Sequence, residues 1–198
     1  MTMTWMKEGE DKPQEQGNPK VAELFFKSRN VIVAGPINHE LAQKTVTHLL
    51  ALAAESDDPI NMFISSPGGH VESGDMVHDM IKFIRPTVRT IGSGWVASAG
   101  ALIFVGAARE NRFCLPNTRF LLHQPSGGIG GTTADMMIQA DQIRKMRERF
   151  DKLFADATGQ TPEKIAEDTQ RDFWLNTEEA IDYGLLGKVI ETVDQLPG

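Results

Sequence analysis

One serine, one histidine and one aspartate in this chain stand where they could build a hydrolytic site. Ser98 lies in Gly92-Ser93-Gly94-Trp95-Val96-Ala97-Ser98-Ala99-Gly100-Ala101. A β-rich run, Thr87 to Ile91, enters this stretch, and an apolar run, Ala101 to Val105, leaves it. Glycines and small residues between such runs let a chain turn sharply from strand to helix and leave a side chain at the corner. Ser98 then sits near a helix N-terminus, where the first N–H groups lack intrahelical acceptors. A serine oxygen that attacks a carbonyl generates an oxyanion, and such groups can stabilise it. The same residues also read as a plain serine N-cap.

Hydrolysis through serine further needs a base, a group that orients the base, and donors for the oxyanion. His123 ends a short strand just before the Gly-rich segment Gln124-Pro125-Ser126-Gly127-Gly128-Ile129-Gly130-Gly131, and a neutral imidazole suits proton transfer near pH 7. Asp172 could accept from the other ring nitrogen. Gly69 has no side chain, so its N–H can come close to a substrate, and the N–H of Ala99 follows the serine directly. Rival readings stand beside these. His70 follows Gly69 and competes for the role of base. His39, His48 and His78 fall on predicted helices and read as solvated or satisfied surface residues. Asp172 alone also fits a turn or cap. The order Ser, His, Asp differs from three orders found in convergent triads, so spacing leaves the triad open.

Composition narrows the class. The 198 residues suffice for one domain with a real core, and 40% are hydrophobic. The net charge of -7, from 20 basic and 27 acidic residues with no basic stripe, argues against a nucleic-acid partner. The single cysteine, Cys114, cannot form an internal disulfide and reads as a small core residue, which is compatible with a reducing compartment. Met1 to Lys20 is polar and lacks the apolar segment of a signal peptide. No run approaches the roughly 18 apolar residues of a membrane span. A cytoplasmic protein is expected, with a flexible N-terminal arm over 1–20 and a single domain over 21–198.

The elements that must position these groups follow from pattern. Val21 to Lys27 reads as a short helix and Asn30 to Ala34 as a strand. Asn38 caps a helix from His39 to about Glu55 with Leu41, Leu49, Leu50 and Leu52 as its apolar positions. Ile60 to Ile64 is a strand, and Ser65-Ser66-Pro67-Gly68-Gly69 leads into a helix with Met76, Val77, Met80, Ile81 and Ile84 on one face. Thr87 to Ile91 is the strand before the serine turn. Arg112 to Leu115 and Arg119 to Leu122 flank a Pro116-Asn117 turn. A helix of about 40 Å runs from roughly Thr132 to Thr158, longer than a domain of this size needs to cover its own sheet. Thr161-Pro162 starts the next helix, Asn176 and Glu179 form a capping box, and Gly187 to Val193 is a last strand. Strands alternating with helices predict an α/β domain on a mostly parallel sheet.

From about Val31 to Val193 the chain resembles the proteolytic subunit of the Clp protease, the ClpP family. Ile64-Ser65-Ser66-Pro67-Gly68-Gly69 is similar to that family's oxyanion loop, and Ala97-Ser98-Ala99-Gly100-Ala101 to its nucleophile turn. Arg112-Phe113-Cys114-Leu115-Pro116-Asn117 and His123-Gln124-Pro125-Ser126-Gly127-Gly128 resemble the stretch that carries its histidine, and Thr169-Gln170-Arg171-Asp172 the segment with its aspartate. The resemblance implies a serine endopeptidase with Ser98 as nucleophile, His123 as base, Asp172 as orienting acid, and Gly69 and Ala99 as oxyanion donors. It implies a crotonase-like spiral of βαβ units in which the long helix is a projecting handle. It further implies two stacked heptameric rings that take in unfolded polypeptide from a hexameric AAA+ ATPase. Substrate would pair with backbone near Gly68, His70, Gly127 and Gly128, and the ATPase would dock at a cleft mapped to Phe63, Phe83, Ile91 and Ile190. No metal or organic cofactor is implied, since ATP belongs to the partner.

The chain departs from that pattern at Ser65, where Asn is usual, and at Trp95 and Ala99, where Gln and Met are common. Gln170 replaces an acidic residue that pairs with the following arginine across the ring interface, and Asn61 replaces a cleft aromatic. These departures keep open a divergent ring subunit with weak or no activity. A CoA-binding enzyme on a crotonase-like fold would carry acidic groups where Ser98 and His123 stand. A Ser-Lys membrane peptidase would need a membrane span.

Overall fold

The computed structural model describes residues 19–125, 128 and 130–197. In chain order the elements are α1 (Pro19–Lys27), β1 (Asn30–Ala34), α2 (His39–Glu55), β2 (Ile60–Ser66), α3 (Val71–Phe83), β3 (Val88–Ala97) and α4 (Ala99–Phe104). Then follow β4 (Arg112–Cys114), β5 (Arg119–Leu122), α5 (Thr133–Thr158), α6 (Pro162–Asp168), β6 (Phe173–Leu175), α7 (Thr177–Asp182) and β7 (Lys188–Val189). The expected arm over 1–20 lies almost wholly outside the described residues.

The strands form one sheet in the order β1-β2-β3-β4-β7, and every pairing along that path is parallel. β3 is long enough to hold two partners in succession. Its residues Thr90 to Gly92 pair with β4, and Trp95 to Ala97 pair with β5. The Pro116-Asn117 turn thus carries the chain along β3 rather than across the sheet. β6 then runs antiparallel to β5. The α/β class with a mainly parallel sheet is as the sequence indicated.

Local chemistry explains the elements. Asn38 Oδ1 accepts from the N–H of Leu41 at 2.8 Å and starts α2. In β2 the side chains alternate, with Ile60, Met62 and Ile64 fully buried and Asn61, Phe63 and Ser65 half-buried on the opposite face. The core joins β1, β2 and β3 to α2, α3 and α4, and it includes Leu49, Leu52, Phe104 and Phe120. The rings of Phe104 and Phe120 lie 5.3 Å apart. Thr132 and Asp135 form a capping box at the start of α5, and Gly159 ends that helix in the left-handed region. Only the last part of α5 is packed, through Phe150, Asp151, Phe154, Ala155 and Thr158. At 1.5 Å per residue its 26 residues span about 39 Å, and the first turns stand clear of the domain.

Several expectations are corrected. Leu50 points outward and is exposed, because the buried stripe of α2 is Ala42, Val46, Leu49 and Leu52. Met76 is likewise partly exposed, and α3 instead turns His78 inward. His78 is therefore not a surface residue. It is 3% exposed, and its Nδ1–H donates to the carbonyl of Leu102 at 2.8 Å. The last strand is only Lys188–Val189, after which the chain enters a 3-10 turn. The strand before Ser98 does not end at Ile91 but continues to Ala97. Gly92 and Gly94 do not make the corner. Gly94, at φ +71°, lets β3 bulge between the pairs Ile64–Gly92 and Ser66–Val96.

Candidate active site

The corner itself is Ser98. It has φ 53° and ψ -120°, and only Arg29 among the other described non-glycine residues shares a positive φ. Such a backbone costs an L-residue of order 1–3 kcal/mol and persists only where its surroundings impose it. Here the surroundings are hydrogen bonds on both sides. The N–H of Ser98 donates to Leu121 O at 2.9 Å, and Ser98 O accepts from the N–H of Leu102 at 3.1 Å. Ser98 holds the N-cap position of α4, yet its hydroxyl makes no capping bond. The plain N-cap reading thus accounts for its position and not for its side chain.

The loop after β2 is folded against this corner. Ser66 Oγ donates to Gly35 O at 2.8 Å and accepts from the N–H of Gly68 at 3.0 Å. Gly68 and Gly69 take φ +96° and +148°. Ile37 N–H donates to Gly68 O at 2.8 Å, and His70 N–H donates to Ile37 O at 2.9 Å. That parallel bridge uses the groups flanking Gly69, so the N–H of Gly69 itself points away from Ile37. The N–H of Ala99, first residue of α4, has no intrahelical acceptor by construction.

His123 and Asp172 arrive on the strands beside Ser98. Ala97 pairs with Leu121, so His123 leaves β5 at the same sheet end at which Ser98 leaves β3. β5 and β6 pair Leu122 with Phe173, and one further step of that register sets Asp172 opposite His123. The two line a cavity of about 430 Å³ together with Gln124, Gln170 and Arg171. His123 is half-buried and Asp172 exposed. Among the described residues, the Ser98 hydroxyl, the His123 ring and the Asp172 carboxylate make no hydrogen bond to one another.

His70, the rival base, is engaged elsewhere. Its Nδ1 lies 2.9 Å from Ser73 Oγ and its Nε2 3.3 Å from Glu72, both in the first turn of α3. It does line a groove of about 500 Å³ with Gly69, Pro125, Gly128, Ile138 and Ile143, which runs from the glycine loop to the face of α5. Gly127 lies outside the described residues. Of the residues mapped to a docking cleft, Ile91 and Ile190 are buried with Phe113, and Phe63 packs on them half-buried. They form the floor of that patch rather than its rim. Phe83, at the end of α3, is 78% exposed and apart from that cluster.

Cys114 is buried, and its thiol is pushed up to about 11 by that burial, which removes it as a nucleophile. Among the described residues no three His, Cys, Asp or Glu side chains are grouped to hold a metal ion, and no helix is long and apolar enough to cross a membrane. Two residues next to the site escaped the sequence reading. Gln124 and Arg147 bond to each other at 2.5 Å across 23 positions of chain, a pairing no local pattern announces.

A family model described as Clp protease matches residues 13–193. The ATP-dependent Clp protease proteolytic subunit of Paracoccus denitrificans is 76% identical over 166 residues, which covers 84% of this chain and 83% of that protein. Subunit 3 of Rhizobium etli is 60% identical over 92% of this chain and 95% of its own length. Among solved structures, ClpP1 from Listeria monocytogenes matches with a TM-score of 0.82 and 50% identity, over 89% of this chain and 99% of its own.

Proposed function

Because the chain belongs to the Clp protease family, we propose that it is a peptidase subunit that hydrolyses peptide bonds of unfolded proteins through Ser98, His123 and Asp172. The observation that carries this reading is the strained corner at Ser98. Its hydroxyl is not used as a cap and leaves the sheet beside His123.

In the first half-reaction His123 takes the proton of Ser98 Oγ as that oxygen bonds to the scissile carbonyl carbon. The N–H groups of Gly69 and Ala99 receive the resulting oxyanion. His123 then gives its proton to the departing amine nitrogen, the C–N bond breaks, and an acyl-serine remains. Water repeats the sequence, with its proton passing through His123 back to Ser98 Oγ. Asp172 accepts from the second ring nitrogen and stabilises the imidazolium. Gly68, His70, Gly127 and Gly128 flank an extended substrate. Main-chain pairing of that kind tolerates many sequences.

The subunit works as two stacked heptameric rings fed by a hexameric AAA+ ATPase, in the cytoplasm. The ATPase docks over the patch of Phe63, Ile91 and Ile190, with the exposed Phe83 as a separate contact, and consumes the ATP. The peptidase itself uses no metal or organic cofactor.

Labelling with a fluorophosphonate tests the nucleophile. Wild type is expected to label on one serine and Ser98→Ala not at all. Equal labelling of both would remove Ser98 from the mechanism. A second reading, a ring subunit of low activity, draws on one observation, the absence of hydrogen bonds joining the three side chains. Assembled protein that cleaves no peptide even with its ATPase would favour it.

A further inference from the structure

We infer that Arg147 of α5 is a positioning residue that holds the elements bearing His123 and Asp172 at their working separation. The inference rests on the triad proposed above. Arg147 Nη1 donates to Gln124 Oε1 at 2.5 Å, and its Nη2 donates to Ala166 O at 3.2 Å. Gln124 directly follows His123. Ala166 lies in the last turn of α6, the helix from which the segment carrying Asp172 departs. One planar guanidinium therefore grips the end of one element and the end of the other. Its donors are fixed relative to each other, so the two grips also fix a distance.

Gln124 closes the link. Its N–H donates to Thr169 O at 3.1 Å and its Nε2 donates to Gln170 O at 3.1 Å. Thr169 is fully buried and tied back to Ile165 by its hydroxyl at 2.7 Å, so the anchor point is firm. Every polar atom of the Gln124 side chain is thus spent on joining α5 to the segment ahead of Asp172. Arg147 in turn is aimed by Asp151, one turn along α5, whose Oδ2 lies 3.8 Å from its Nε. Asp151 is 7% exposed, and its Oδ1 has no hydrogen-bond partner. A buried oxygen left unpaired costs stability. Its position beside Arg147 gives it a use that packing alone does not.

The guanidinium touches neither the reacting serine nor the base, so its effect passes through Gln124. Loss of the fork would let β5 and the residue 169–172 segment separate, and Asp172 would face the imidazolium less well. An imidazolium without its carboxylate partner is less stable, and proton transfer from the serine slows. Misplacement of catalytic groups by about 1 Å can cost on the order of 100-fold in rate.

The test is the rate of fluorophosphonate labelling in assembled Arg147→Met protein, whose helix and apolar stem are preserved. Labelling is expected to slow by about 10- to 100-fold. For a peptide kcat should drop more than KM rises, and added methylguanidinium should restore part of the rate. Arg147→Lys, which can keep one grip but not both, should fall between. A rate within twofold of wild type, or a slow rate with no recovery with methylguanidinium, overturns the inference. Should Arg147→Met fail to assemble, Gln124→Met cuts the same link from the other side and is judged by the labelling rate and the split between kcat and KM, since it keeps the guanidinium. Labelling of Ser98→Ala at the wild-type rate would instead overturn the triad itself.

Discussion

Gly68 lies against Ser98 so closely that a β-carbon placed on it would come within 2.5 Å of Ser98 Cβ and 3.0 Å of Ser98 Oγ. The loop that bears Gly69 and the corner that bears Ser98 are therefore a single packed unit. The end of β2 sets the position of the serine as firmly as β3 does. Ser66 extends the arrangement, because its hydroxyl bridges Gly35 and Gly68 and ties the loop to the chain leaving β1.

Gly68→Ala should consequently damage function more than folding. The methyl would meet Ala97 O at 2.9 Å as well as Ser98, and φ +96° already disfavours alanine. A destabilisation of about 1–3 kcal/mol is expected from the backbone alone. Relief by a shift of the loop would move Ser98 and lower kcat/KM by roughly 100-fold. Melting temperature and peptide hydrolysis measured on the same sample separate the two effects. A variant as active as wild type would show that the loop can retreat without moving the serine.

At Ser98 the usual ranking of alanine over glycine should invert. Both Ser98→Ala and Ser98→Gly lose hydrolysis, by at least about 1,000-fold if the serine is the nucleophile. Their stabilities should differ, because at φ 53° only glycine escapes the steric cost of a β-carbon. Ser98→Gly is expected to exceed Ser98→Ala by about 1 kcal/mol, or roughly 2–4 °C in Tm for a chain of this length. Scanning calorimetry of the two inactive proteins makes the comparison free of any substrate. Equal stability would mean the corner relaxes once the hydroxyl is gone.

The sequence made plain those features that depend on neighbours along the chain. Asn38, Thr161 and Asn176 were legible as caps because the acceptor and the N–H it serves lie three residues apart, and each makes that bond. The strand–helix corner was legible from its small residues. The end of the strand before it was misplaced, since Gly94 serves a bulge whose need arises only from pairing with β2. His78 was misread because a polar residue on a helix looks solvated until the partner is known, and its partner, Leu102 O, lies 24 residues away. That Ser98, His123 and Asp172 flank neighbouring strands at one end of the sheet was not derivable from spacing. It follows from two strand pairings, β3 with β5 and β5 with β6, and one of them is antiparallel in an otherwise parallel sheet. Motif resemblance supplied the family, which local patterns could not.

His78 should give the protein an acid-sensitive stability. Burial holds its imidazole below the ordinary value of 6.5, and this outweighs the opposing pull of the Leu102 carbonyl. The folded state therefore keeps it neutral while the unfolded chain takes up a proton as the pH falls past that value. The unfolded state then binds more protons, and stability declines with acidification until the folded-state value is reached. His48, stacked on Phe26 and also lowered by burial, acts in the same direction. His78→Asn, which retains a donor for Leu102 O and cannot titrate, should show a shallower fall in Tm between about pH 7.5 and pH 5.5. A slope as steep as that of wild type would place the acid sensitivity elsewhere.

The clear part of α5 offers the last prediction. Met137 and Ile138 are 70% and 63% exposed on a helix whose buried residues begin only at Phe150. Ile138 lines the groove beside Gly69, so altering it would confuse assembly with substrate binding. Met137 does not line that groove and is the cleaner probe. Glutamate forms helix about as well as methionine, so Met137→Glu should leave α5 and its Thr132 cap intact while placing a charge on the apolar projecting surface. If that surface joins two rings, native mass spectrometry should show particles of half the wild-type mass, with unchanged helix content by circular dichroism. Full-size particles would mean that ring stacking, if it occurs, uses a different face of the helix.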